Sequence, residues 1–435
     1  MAFIHCKSGE CLKSELDLFE VMPTQTSIES SSFIEISPLA ALTSEAPIEF
    51  YLASSPQIYL DLNDTLLHLV CKITKEDGAD IPNDAKVAVA AYPIATLFNQ
   101  LDITLGDRLI TQSDNLYAYR AYIEALLNYG DDVLEKQLSA GLFYKDTAGQ
   151  FATVEPQGAN TGFVKRAKIA SRSRSFDIMG RLHADICHQD KLMLNGVDFK
   201  VKLTRNKNAF VLNSGDAELY KLAILSATLF VKRVKVSPAV ILGHAEALQV
   251  SNVKYPVERV ALKVVSIPIG SRTANQDNLF LGQLPKTIVI GFVDTTALSG
   301  TYGENPFNFK HHSVSHASLN IDGLATPSKP YTPRFDNSNY VREYLGLVAV
   351  TGKKQRDSGV AFSREEYAGG YTLFAFDLSP DLENSNHYNL IRSGNLRANI
   401  KFSNALICSV SMLVFAIFDN VLEINNSRQV LYDYM

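Results

Sequence analysis

Tryptophan is absent from this chain of 435 residues, and cysteine is scarce, at five. Without Trp the chain lacks the most effective ring for apolar and cation–π contact with a ligand, which counts against a sugar-binding cleft, although 19 Tyr and 23 Phe remain. Cys6, Cys11, Cys71, Cys187 and Cys408 are odd in number and scattered, and three lie inside apolar β-type runs. They read as reduced core thiols of an intracellular protein rather than a disulfide framework. A long apolar run is missing too: the longest, 405–418, falls short of the roughly 20 residues a membrane span needs and reads as a buried strand pair. No export signal is expected, because Glu10, Lys13, Glu15 and Asp17 soon interrupt the start. Positive charge is not in excess either. With 41 basic and 46 acidic residues, the net charge of −5 does not suit a surface that grips nucleic acid non-specifically.

Motifs for chemistry are also wanting. Gly346 and Gly352 nearly frame a phosphate loop, but five residues separate them where four are needed, and Lys354 stands where a Ser or Thr should bind magnesium. His311, His312 and His316 cluster, and on a strand His312 and His316 would share a face. No Asp, Glu or Cys within that segment completes a metal site. His5, Cys6 and Cys11 lack a fourth ligand nearby. Asp377, Asp381 and Glu383 are split by Ser379-Pro380, which suits a turn with capping acids better than two carboxylates facing across a cleft. No Gly-x-Ser-x-Gly elbow occurs. Lys165, Arg166, Lys168, Arg172 and Arg174 crowd the segment 165–174, which reads as a solvated loop, with contact to a partner or nucleic acid as the alternative. No catalytic, cofactor-binding or metal-binding residue is assigned, and no cofactor.

What the chain does have is a plan used twice. The run 101–106 is followed by a Tyr/Arg-rich segment, 117–123, and three β-type runs, 176–186, 199–205 and 220–236. The run 318–323 is followed by 340–345 and then 371–378, 395–404 and 407–424. Arg120 and Arg342 fall at the same place in the two copies, and Asp185 and Asp377 form a second matched pair. A chain this long exceeds one core, and two domains of about 200 residues fit the usual size range.

Period-2 alternation marks strands at 199–205 and 259–264, and aromatic and β-branched residues mark 48–52, 57–60 and 66–73, with Asn63-Asp64 as the turn between the last two. Helices are few: one after Asp114-Asn115 ending at Gly130, one from Ser237-Pro238 to about Gln249, and one over 339–350. Many short strands, long Gly/Pro loops and a helix inserted at the same place in each half predict two antiparallel β-sandwiches. The expected divisions are an N-terminal arm (1–32), a first sandwich (33–236), a connector helix (237–251) and a second sandwich (252–435).

Several segments carry a family likeness. They include Ser8-Gly9-Glu10-Cys11, Tyr119-Arg120-Ala121-Tyr122, Val234-Lys235-Val236-Ser237-Pro238, Asn305-Pro306-Phe307-Asn308-Phe309 and Ser363-Arg364-Glu365-Glu366-Tyr367. Through these, spread in order along nearly the whole chain, the sequence resembles the major capsid (hexon-like) proteins of Polinton/Maverick elements and adintoviruses, in the double jelly-roll lineage of DNA viruses. The resemblance implies an all-β protein of two tandem eight-stranded jelly rolls with a few short inserted helices. It implies a non-enzymatic homotrimer, pseudo-hexameric in outline, that packs with neighbouring trimers and penton or minor capsid proteins into an icosahedral shell around DNA. The arm would run beneath that shell, and specific nucleic-acid recognition is not expected. Location would be the virion, after assembly in the host nucleus or cytoplasm. Alternatives are a minor or penton-type subunit, or, in a different class, a carbohydrate-active or adhesive tandem β-sandwich.

Overall fold

The alternation of Phe199, Val201 and Leu203 with Lys200 and Lys202 does what the pattern requires: the first set is buried and the two lysines are exposed. The computed structural model describes residues 7, 11, 13–19, 21–43, 46–354, 359–382 and 387–432. His5, Cys6, Ser8, Gly9, Glu10 and Glu383 lie outside the described residues.

Eight strands build the sandwich of the first half: β1 (Ile28–Ile36), β2 (Ile48–Leu52), β3 (Ile58–Lys75), β4 (Phe98–Leu105), β5 (Arg108–Leu109), β6 (Phe176–Arg181), β7 (Phe199–Arg205) and β8 (Tyr220–Val236), while the short strands Val87–Val89 and Leu212–Ser214 pair apart from it. Eight more build the second sandwich: β9 (Val253–Ile267), β10 (Thr273–Gln276), β11 (Thr287–Asp294), β12 (Val314–Ile321), β13 (Leu324–Tyr331), β14 (Leu373–Asp377), β15 (Leu396–Phe402) and β16 (Val410–Ile424), with the two-residue strand Val430–Leu431 added along β16. The first half pairs them as β1-β8-β3-β6 and β2-β7-β4-β5, the second as β9-β16-β11-β14 and β10-β15-β12-β13. Each strand of the second half thus occupies the position of its counterpart eight labels earlier. Two four-stranded antiparallel sheets in this order make a jelly roll. The β4–β5 and β12–β13 hairpins even share a left-handed glycine at the turn, Gly106 (φ +58°) and Gly323 (φ +89°).

Antiparallel strands alternate direction, so connections after odd-numbered strands leave one end of a sandwich and the rest leave the other. The two longest connections, β5–β6 and β13–β14, are both of the first kind. The β5–β6 connection carries α1 (Tyr117–Asn128) and α2 (Thr161–Ala170). Helix α3 (Pro238–Val250) links the halves, and the β13–β14 connection carries α4 (Val341–Val350) and α5 (Arg364–Ala368). These ends meet: Gly149 N donates to Gly369 O (2.6 Å) and Ser214 N to Tyr302 O (2.7 Å). The two sandwiches therefore stand side by side with the same end up.

Four local expectations change. Asn63-Asp64 is not a turn; β3 runs through it for 18 residues, and the irregularity is taken up as a bulge, with Phe230 opposite Leu66 but Lys232 opposite Asp61. Strand β1 starts at Ile28, so the end of the segment read as an arm joins the sheet along β8. The run 176–186 forms a strand only to Arg181 and then a helical turn, Asp185–His188. The apolar run 405–418 is not a strand pair but a turn leading into the single strand β16. It is apolar throughout because both of its faces are covered. Met412, Val414 and Ala416 pack into their own sandwich, as do Ile288, Ile290 and Phe292 of β11. Leu413 and Phe415, with Val289 and Val293, join a core continuous with the first half.

Candidate functional site: the seam and the open faces

The seam between the sandwiches is locked by a buried ion pair. Asn160 caps α2, accepting a hydrogen bond from Phe163 N (3.3 Å). Gly162 lets the helix approach the chain, since a Cβ there would lie 2.3 Å from Lys145 O. That approach turns Arg166 inward, with no exposed side-chain area, onto Asp146 Oδ1 (2.7 Å), Val89 O (2.8 Å) and Tyr144 O. The basic segment is therefore helical up to Ala170, and its Arg166 is structural. From the second half Asn305 Nδ2 donates to Asp146 Oδ2 (2.9 Å), and Tyr371 Oη donates to Asp146 O (2.5 Å). Phe307 stacks on Tyr122 of α1 with ring centroids 4.0 Å apart.

Arg120, the first of the matched arginines, lies in the same seam. Its guanidinium donates to Glu124 Oε1 (2.9 Å) and Asp185 Oδ1 (2.6 Å), and Val260 N of β9 also donates to Asp185 (3.2 Å). Burial raises the Asp185 carboxyl above its ordinary value despite Arg120. Burial acts the same way on Glu124, but Arg120 and the His183 hydrogen bond outweigh it and hold that carboxyl well below the usual range. Arg342, its counterpart, is exposed. It lies over the Tyr331 ring, 5.1 Å from the centroid, and donates to Pro330 O (2.7 Å) and Lys329 O. Asp377 is no match for Asp185 either: it accepts from Ser379 N (2.9 Å) and Oγ (2.6 Å), as a turn-capping acid should.

Other faces are apolar and open. Helix α3 buries only Leu248, with Leu242 and Val250 exposed. On α4, Val341 (38% exposed) and Leu345 (46%) look outward. At the opposite end, the connection before β11 shows Leu281 and the one after β14 shows Leu382, Leu390 and Ile391, and the N-terminal segment shows Leu16, Leu18, Phe19, Val21 and Met22. Scattered singly, such residues need no explanation, but grouped like this they mark interaction surfaces.

The motifs weighed for chemistry resolve one by one. Gly346 lies inside α4, where a Cβ would meet Tyr331 Oη at 2.4 Å, so no phosphate loop forms. His312 and His316 do not share a strand face, because His312 (φ +43°) sits in the turn before β12. His311 stacks on Phe335 with centroids 4.1 Å apart, and His316 Nε2 bonds Ser318 Oγ (3.1 Å). His312 instead faces Asp294 and Cys408, partners from outside its own segment. Glu124, His183 and His188 also lie close together. There both His183 nitrogens are occupied, Nδ1 by Glu124 (2.7 Å) and Nε2 by Tyr92 Oη (2.9 Å), leaving no lone pair for a metal. Burial pushes the Cys71 and Cys187 thiols up to about 12, as inert core thiols. A cavity of about 640 Å³ opens between the halves, where Lys286 pairs with Glu258 and with Asp419 (3.1 Å). Among the described residues, no helix is long and apolar enough to cross a membrane.

No family model matches the chain. An uncharacterized protein of Caenorhabditis elegans is 25% identical over 435 residues, an overlap that spans 94% of this chain and 99% of that one. Among solved structures, a chain of the Sputnik virophage superposes with a TM-score of 0.66 at 12% identity, covering 100% of this chain and 95% of its own. The PBCV-1 virus capsid gives 0.57 at 10% identity (96% and 99%), and the mavirus major capsid protein 0.54 at 12% (100% and 97%). The fold is the double jelly roll. Coverage from end to end means that the likeness takes in both sandwiches and the helix between them.

Proposed function

We propose that this double jelly roll is a major capsid protein of the Polinton/Maverick and adintovirus kind, a non-enzymatic building block that trimerises and tiles an icosahedral shell around a DNA genome. One observation carries the reading: the same helix position is closed in one half and open in the other. In the first half α1 is buried over 117–127 against loops of the second half. In the second half α4 buries only Glu343 and Leu347 fully and leaves Val341 and Leu345 exposed. A ring in which the first sandwich of a neighbouring chain covers α4 would repeat the internal seam between chains. Three chains then give six similar sandwiches and close the ring, which is how a cyclic assembly of heterologous contacts terminates.

The solved structures that share the fold end to end come from viral capsids, which supports a structural role and a place in the virion. A penton-type subunit needs only one sandwich, so the second would be unexplained. A carbohydrate-active or adhesive protein would leave the open α4 face without a purpose. The apolar segment before β1 would reach neighbouring capsomers or minor capsid proteins. Negative-stain imaging and native mass measurement of the purified chain test the reading. Trimers with a sixfold-like outline are expected, and a monodisperse monomer would overturn it.

A further inference from the structure

The long-loop end of the second sandwich brings together three side chains that no nearby sequence connects. Asp294 is the last residue of β11, His312 lies two residues before β12, and Cys408 lies two residues before β16. Their ligand atoms all fall within 4.8 Å of one another. Cys408 Sγ is 3.2 Å from Asp294 Oδ1, and His312 Nε2 is 3.5 Å from the same oxygen. The His312 side chain is only 9% exposed, yet among the described residues its Nε2 has no hydrogen-bond partner. A buried ring nitrogen costs about 1–3 kcal/mol when left unsatisfied, so a native site that keeps one needs a reason. The second oxygen of Asp294 is held by Lys310 Nζ, which fixes the carboxylate with Oδ1 turned toward the other two groups. The neighbouring His311 is engaged elsewhere: Ser313 N donates to its Nδ1 (2.9 Å), and its ring stacks on Phe335.

We propose that Asp294 Oδ1, His312 Nε2 and Cys408 Sγ form a binding site for a divalent zinc-like cation. One nitrogen, one thiolate and one carboxylate are the donor types that zinc takes, and three protein ligands leave a fourth position for water. The charges balance. On binding, the Cys408 S–H bond breaks, its proton leaves to solvent and the thiolate takes the cation. Cation, thiolate and carboxylate then sum to zero, with imidazole neutral and Lys310 retained as the outer partner that orients the carboxylate. Bound metal would cross-tie the β11–β12 and β15–β16 connections, the loops that shape this end of the sandwich. The site is independent of the capsid reading, since it needs only the fold.

The test uses the full-length protein, stripped with chelator and titrated with Co²⁺ as a coloured stand-in for zinc. The wild type should take up one Co²⁺ per chain with a thiolate-to-cobalt charge-transfer absorption, and Zn²⁺ should displace it. Cys408→Ser and His312→Ala should lose that absorption, whereas His311→Ala and Cys11→Ser should keep it. Absence of uptake by the wild type, or charge transfer surviving in Cys408→Ser, would overturn the site. Should Cys408→Ser fail to fold, alkylation of the wild-type thiols read by mass spectrometry decides instead. Zn²⁺ must slow modification of Cys408 but not of Cys11, and equal rates with and without Zn²⁺ would reject the proposal.

Discussion

Helices α1 and α4 occupy equivalent connections of the two sandwiches, but in different surroundings. In α1 the Arg-x-Tyr pair is entirely internal: Arg120 is buried between two carboxylates and Tyr122 lies against Phe307. In α4 the same pair is peripheral, with Arg342 exposed and Tyr344 half-buried. The difference points to the face that the proposed assembly would use. A position that the chain covers for itself once, and leaves uncovered once, is a position that a second chain can cover.

The sharpest way to break this comparison is to mutate the two arginines. Arg120→Ala leaves Asp185 and Glu124 as buried charges without their cation, and should cost about 3–5 kcal/mol in chemical denaturation. Arg342→Ala should cost less than about 1 kcal/mol, as for other exposed charges. Equal losses would mean that the two environments do not differ as described.

Phe307→Ala removes an aromatic from the closed seam, and a loss of about 3–5 kcal/mol is expected. Limited proteolysis should then cut between the halves first, whereas cleavage spread evenly along the chain would show that the seam is not the weak point. Leu345→Glu, on the open side, should change monomer stability by no more than about 0.5 kcal/mol yet abolish trimers on size-exclusion chromatography. Trimers persisting in that variant would place the joint elsewhere.

The smallest expected effect is on acid stability. Glu124 titrates below its ordinary 4.5 in the folded protein, so its contribution is complete above about pH 4.5 and drains as the pH falls toward the folded value. Asp185 is shifted the other way and offsets part of that slope. Glu124→Gln should therefore flatten the acid limb below pH 4.5. An unchanged limb would separate Glu124 from acid unfolding.

Much of the fold was readable in the residues because repeats and alternation are local signals. The runs 101–106 and 318–323 proved to be the ends of β4 and β12, each with its hairpin glycine. The three runs after each helix proved to be β6, β7 and β8 against β14, β15 and β16. What could not be read depends on partners distant in sequence. Arg166 looked solvated because nothing beside it shows that Asp146 and the Val89 and Tyr144 carbonyls await it. Asn63-Asp64 carries turn residues, but a bulge absorbs them within a strand paired along most of its length. Arg120 and Arg342 fall at the same place in the two copies, yet matching by sequence cannot show which copy its neighbour covers. His312 has no metal-ligand partner in its own segment, and the fold supplies Asp294 from the end of β11 and Cys408 from the connection before β16.

The central claim is that the uncovered face of the second sandwich is completed by the first sandwich of another copy. Imaging the purified protein with its mass measured in solution tests this most directly. Three copies per particle, with six similar densities around one axis and α4 at the inter-chain joint, are expected. A single copy at working concentration, or a dimer joined through some other face, would contradict it.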